Sequence, residues 1–141
     1  MSLAIGFVNL PNLEASSPND PPLIQVRYDR FVLQLFKVDT FAQMMNHAAL
    51  GVCGEAGELA DAIKKHIHYG KPLDHDNVIE ELGDLRFYIQ AVQNMLGITE
   101  QELLQHNANK LAKRYGSLTY SDKEAVERKD KEWGKIGEAN G

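Results

Sequence analysis

Apolar residues along this chain recur mostly every three or four positions, the repeat of an α-helix with one covered face. The run V-R-Y-D-R-F-V-L-Q-L predicts a first helix from near Gln25 to about Leu35. Asp39 or Thr40 can cap a second, much longer helix that continues to Tyr69. Its later half carries an apolar stripe of Val52, Ala56, Leu59, Ala60 and Ile63. Gly70 supplies the stop, and Pro72 reinforces it. Asp74 or Asp76 starts a third helix with Val78, Ile79, Leu82, Leu85, Ile89 and Val92 at helical spacing, ending near Gly97. Thr99 followed by Glu102 has capping-box spacing, and a fourth helix then runs to about Tyr115 with Leu103, Leu104, Ala108 and Leu111 facing inward. Gly116 ends it. Ser121 or Asp122 caps a last helix through Ala125, Val126 and Trp133.

Residues 8–23 break the pattern with Asn, Ser, Asp and four prolines, and read as a loop or extended arm. No strong two-residue alternation argues for a sheet. The expected fold is therefore an all-α bundle of about four to five helices. It divides into an N-terminal arm over residues 1–24, one helical domain over 25–133 and a C-terminal tail over 134–141. Gly51, Gly54 and Gly57 weaken the middle of the second helix by about 1 kcal/mol each relative to Ala, if exposed. They either bend the helix or let another helix or a ligand come close.

Composition narrows the function classes. The 141 residues suit one domain with a modest core, and 43% hydrophobic content is that of a folding chain. A net charge of -5 gives no general attraction to nucleic acid or to an anionic membrane, so neither is expected as a partner. The single cysteine, Cys53, excludes an intrachain disulfide framework and a cysteine-rich metal site. It reads as a small buried residue. No secretory signal and no membrane-spanning run is legible, and a cytoplasmic location is the expectation.

The chemistry lies in two short acidic motifs, E-A-G-E with Glu55 and Glu58, and E-L-G-D with Glu81 and Asp84. Each is acid-x-x-acid on a helix, so its two carboxylates share a face. The short connection around Gly70 returns the third helix along the second, and the acidic faces can then oppose one another. Like charges at a half-buried surface repel and lose hydration, which a divalent cation would relieve. All-oxygen donors suit hard Mg²⁺, with Mn²⁺ as a substitute, and Mg²⁺ commonly carries phosphate-bearing substrates. The bland alternative is two solvated charged faces. Glu80 precedes Asp84 by four residues and is either a water-mediated ligand or base, or an outward carboxylate. Asp61 can orient Lys64 or extend the acidic site, and a surface ion pair between them is an equal reading.

The segments H-A-A-L-G-V-C-G-E-A-G-E-L-A-D-A-I-K-K, N-V-I-E-E-L-G-D-L and N-A-N-K-L-A-K-R-Y together resemble the MazG-like all-α nucleoside triphosphate pyrophosphohydrolases. The resemblance covers roughly residues 27–130. It implies metal binding by Glu55, Glu58, Glu81 and Asp84, and attack of a metal-activated water on a nucleotide α-phosphorus. The products would be nucleoside monophosphate and pyrophosphate. It also implies that Asn107, Lys110, Arg114 and Tyr115 hold the triphosphate or nucleoside; Lys64 is a further candidate for phosphate. A homodimer or a homotetramer of paired dimers is implied too, with Phe31, Leu35, Leu111 and Trp133 as candidates for the interface. Two positions depart from the pattern. Gly116 stands where many relatives have proline, and Arg86 where an apolar residue is common.

The other conspicuous side chains take milder readings. His47 reads as packing, His66 and His68 as surface or structural, and Lys64, Lys65, Lys71 and Arg128 as solvated cations able to steer an anion. The leading function is Mg²⁺-dependent hydrolysis of an NTP or dNTP. The alternatives are a phosphoribosyl-ATP-type pyrophosphatase and a helical interaction protein with a vestigial metal site.

Overall fold

The computed structural model describes residues 6–131. Five α-helices dominate it: α1 (Tyr28–Leu35), α2 (Phe41–Tyr69), α3 (His75–Leu96), α4 (Glu100–Arg114) and α5 (Asp122–Glu127). A single 3₁₀ turn, Lys129–Lys131, follows α5. The all-α expectation holds. The chain forms two compact units, one up to Thr99 and one from Glu100 onward.

The expected helix start at Gln25 is wrong, and so is the reading that no sheet forms. Phe7–Pro11 (β1) and Leu23–Arg27 (β2) pair antiparallel, with Phe7 opposite Arg27 and Pro11 opposite Leu23. Two five-residue strands are too short to show a persuasive alternation. Their connection is tied by side chains instead: Asp20 Oδ2 accepts from the backbone N–H of Ser16 and Ser17, and Asn12 Nδ2 donates to the Pro21 carbonyl. The Asn, Ser and Asp that mark an irregular arm are the residues that close it.

The long helices end where expected. The Thr40 side chain accepts from the Gln43 N–H at the start of α2, and Asp74 accepts from the Asn77 N–H at the start of α3. Gly70 (φ 62°) and Gly97 (φ 66°) end these helices in the left-handed conformation that glycine adopts without steric cost. The His66 ring N–H donates to the Lys71 carbonyl at 2.7 Å, which gives that histidine a structural task at the α2 end.

Within the first unit, α2 and α3 form an antiparallel hairpin and α1 lies against α3. Val32, Phe36, Ala48 and Ala91 are its buried apolar centre, with Met44, Phe87, Tyr88, Val92 and Met95 packed around them. His47 joins as expected for a packing residue: its ring stacks on Phe36 with centroids 4.9 Å apart and meets Tyr88 edge-on. Gly51 is a close-approach position, because a Cβ there would overlap the Tyr88 ring. Gly54 and Gly57 have open space instead.

Several expected inward faces are displaced. On α3 the buried residues are Glu81, Gln90, Ala91 and Gln93, while Ile79 is 67% exposed and Leu82 51%. Further along α3 the interior is taken by a polar ladder, which reaches α1 through Asn94. Arg86 donates to the side-chain carbonyls of Gln93 (2.8 Å) and Gln90 (3.3 Å), Gln90 donates to Asn94, and Asn94 donates to the backbone carbonyl of Asp29. Buried amides satisfied this way can take interior positions that an apolar repeat would claim. On α2, Ala56, Ala60 and Ile63 are exposed, and so is Cys53, against the expectation that it is buried. No residue of α4 is buried: Leu104, Ala108 and Leu111 are exposed and Leu103 is only half-buried. In the last helix, Ser121 caps as expected, but Arg128 turns left-handed (φ 52°) and ends it at Glu127. Trp133 lies outside the described residues.

Candidate metal centre

Continuous helix through both acidic motifs is what aims their carboxylates. Glu55 on α2 faces Glu81 and Asp84 on α3, and one carboxylate oxygen from each of the three lies within 4.8 Å of the other two. Glu81 is the buried member at 6% exposure, Glu55 is half-buried and Asp84 is exposed. Burial first, and then the negative fields of Glu58 and Glu55, push the Glu81 carboxyl above the usual range. Glu80 adds a smaller push of the same sign. A carboxylate in that environment is held at an electrostatic cost, and a bound cation removes it.

Glu58 falls outside the tight triplet. It lines, with Gly54, Gly57, Asp61, Lys65, Asn77 and Glu81, a depression at the side of the cluster. Gly54 and Gly57 are therefore small residues beside an open space rather than helix-contact positions. The cations nearest in sequence are already engaged: Asp61 accepts from Lys64 at 2.9 Å and from Lys65 at 2.7 Å. Those two bonds lower the Asp61 carboxyl to about 2. The surface ion pair weighed for Asp61 and Lys64 is thus formed, and Lys64 also lies 5.9 Å over the Tyr69 ring. The donor set of Glu55, Glu81 and Asp84, with Glu58 alongside, is all carboxylate oxygen and fits a hard divalent ion such as Mg²⁺ or Mn²⁺.

The α4 candidates belong to the second unit. Asn107 and Lys110 are exposed on α4, while Arg114 and Tyr115 are half-buried at its end. Arg114 makes a two-bond contact with Asp130, Nε to Oδ1 at 2.6 Å and Nη2 to Oδ2 at 2.7 Å. Tyr115 packs on Tyr120 with ring centroids 5.9 Å apart. Neither Asp130 nor Asn77 was a predicted site residue. Asn77 is four residues before Glu81 on one helix face and was legible there. Asp130 lies sixteen residues from Arg114 across a chain reversal, which no local pattern reports.

An all-α fold that holds a carboxylate cluster across a helical hairpin presents a candidate divalent-cation site. Residues 39–118, more than half of the chain, match the MazG nucleotide pyrophosphohydrolase domain, and the chain belongs to that family. It is also similar to the Gene 37 protein of Mycobacterium phage L5, at 31% identity over 74 residues. That alignment covers 50% of this chain and 65% of the phage protein. No solved structure matches the chain significantly.

Proposed function

We propose that the protein hydrolyses a nucleoside triphosphate, NTP or dNTP, to the monophosphate and pyrophosphate in a Mg²⁺-dependent reaction. The observation that carries the reading is the convergence of Glu55, Glu81 and Asp84 on one point inside the matched domain. Glu55, Glu58, Glu81 and Asp84 hold the cation. A divalent ion bound there supplies phosphate-charge neutralisation and a more acidic water. Glu81 is buried and crowded by like charge, and a cation held there would relieve the crowding that pushes its carboxyl above the usual range. Glu80, exposed one residue before it, acts in this reading as a water-mediated ligand or base. Gly54 and Gly57 keep the space beside the carboxylates free of side chains. Lys110 and Arg114 supply cations for the phosphate chain, with Asn107 and Tyr115 as further contacts. Lys64 contributes long-range attraction, because its ammonium is already paired to Asp61.

Assembly belongs to the same proposal. Ile63 and Ile67 on α2, and Ile79 and Leu82 on α3, stay exposed when the hairpin has formed. A homodimer, or a tetramer of dimers, covers apolar surface of this kind. The test of function is turnover of a panel of NTPs and dNTPs with added Mg²⁺ and chromatographic identification of products. Monophosphate plus pyrophosphate supports the reading; turnover of a phosphoribosyl-nucleotide alone, or a folded oligomer with no metal-dependent turnover, opposes it.

A further inference from the structure

The Arg114–Asp130 contact has a chemistry that a surface ion pair lacks. A guanidinium carries five N–H donors on one plane. Asp130 takes the inner edge, Nε and one donor of Nη2. The side chain also hydrogen-bonds Tyr115, and the donors left over still lie in the guanidinium plane, where they can meet a phosphate oxygen. The Asp130 side chain is only 1% exposed and that of Arg114 17%, so that plane is fixed by packing as well as by charge. The backbone under Asp130 is held too: the Lys131 N–H donates to the Arg128 carbonyl at 2.8 Å across the 3₁₀ turn.

We propose that Asp130 is a positioning residue that orients the Arg114 guanidinium toward the phosphates of the substrate. This makes the segment after α5, beyond the matched residues 39–118, a working part of the enzyme. The inference rests on Arg114 being a phosphate ligand, as the proposed function has it. Pairing with Asp130 does not erase the local positive charge. Arg128 Nε lies 3.8 Å from the same Asp130 oxygen, and Lys110 is exposed one turn before Arg114 on α4. Two cations therefore remain in excess of Asp130 among these four groups. The Asp130 carboxyl sits at about 2, held down chiefly by the Arg114 bonds, so the pair is ionised throughout the working pH range.

Steady-state kinetics of the full chain tests this with D130N, R114K and the double variant, each checked for a native thermal melt. D130N should raise KM for the triphosphate about tenfold while kcat changes less than about threefold, because a ground-state fork is misaligned. R114K should raise KM similarly, since an ammonium has no planar fork. Adding D130N to R114K should change KM less than about twofold, because Asp130 acts through the guanidinium. Where D130N does not fold, D130E, which displaces the same charge by one methylene, replaces it and should raise KM at least about threefold. An unchanged KM in the folded Asp130 variant, an R114K enzyme with wild-type KM, or an equal loss on both backgrounds overturns the proposal. Calorimetric binding of an α,β-methylene triphosphate separates this from the broader reading. A wild type that binds the analogue but turns over no triphosphate defeats the proposed function, and unchanged analogue binding in D130N defeats the positioning role.

Discussion

The ring of Tyr88 on α3 occupies the space that a side chain at Gly51 on α2 would need. The distance between the two helices that carry the carboxylates is therefore set, at this level, by a missing methyl group. Gly51→Ala gains about 1 kcal/mol of helix propensity and loses about 1–3 kcal/mol to overpacking, so a net destabilisation is expected. Gly83 has no neighbour in the way, and Gly83→Ala should stabilise by up to about 1 kcal/mol. Urea unfolding of the two variants checks the contrast. Equal effects would mean that the Tyr88 contact does not limit the approach.

Amide substitution of each carboxylate separates the triplet from its neighbours. E55Q, E81Q and D84N should each weaken Mg²⁺ binding and lower turnover by at least about tenfold, since each removes one anionic oxygen donor. E58Q should have a smaller effect on binding, because Glu58 stands beside the triplet. Metal titration by calorimetry, run alongside turnover, measures both. Unchanged metal affinity in all four variants contradicts the assignment.

The features that were legible in the sequence are local ones. Thr40, Asp74 and Ser121 cap helices because a side-chain oxygen three residues before an N–H is a short-range relation, and Gly70 and Gly97 stop them for an equally local reason. The meeting of Glu55 with Glu81 and Asp84 could be anticipated because a short loop returns one helix along the other. What failed needed contacts between distant segments. The β1–β2 pairing joins Phe7 to Arg27, and the burial of Gln90 and Gln93 depends on a ladder that reaches α1 through Asn94. Asp130 was invisible because nothing near it in the chain marks it as the partner of Arg114.

Acid should loosen the second unit in a specific window. The Asp130 carboxyl is depressed from 3.8 to about 2 in the folded state. A depressed carboxylate adds stability that is fully present above its ordinary value and is lost as pH falls through the folded one. The loss is therefore expected between about pH 4 and pH 2, and D130N should lack that increment. Asp61 is also held at about 2, yet it is an exposed pair screened by water and salt, so D61N should change the acid profile little. Amide hydrogen exchange over residues 100–131 as a function of pH measures the difference. Identical acid profiles for D130N and wild type contradict it.

Exposed apolar positions on α2 and α3 make association concentration-dependent in a predictable way. Ile79 and Leu82 are three apart and share a face of α3. Replacing Leu82 with Lys should shift a dimer toward monomer by a factor of at least about ten in Kd, since a buried leucine contributes about 1.5–3 kcal/mol. Light scattering and activity, followed over the same dilution series, test this together. A wild type that is monomeric and fully active throughout contradicts a role for assembly.

The central claim concerns which phosphorus atom is attacked, and hydrolysis in ¹⁸O-labelled water reads it directly. With Mg²⁺ and a turned-over triphosphate, mass spectrometry should find one ¹⁸O in the nucleoside monophosphate and none in the pyrophosphate, as attack at the α-phosphorus requires. Label in pyrophosphate, or release of labelled orthophosphate, would contradict it.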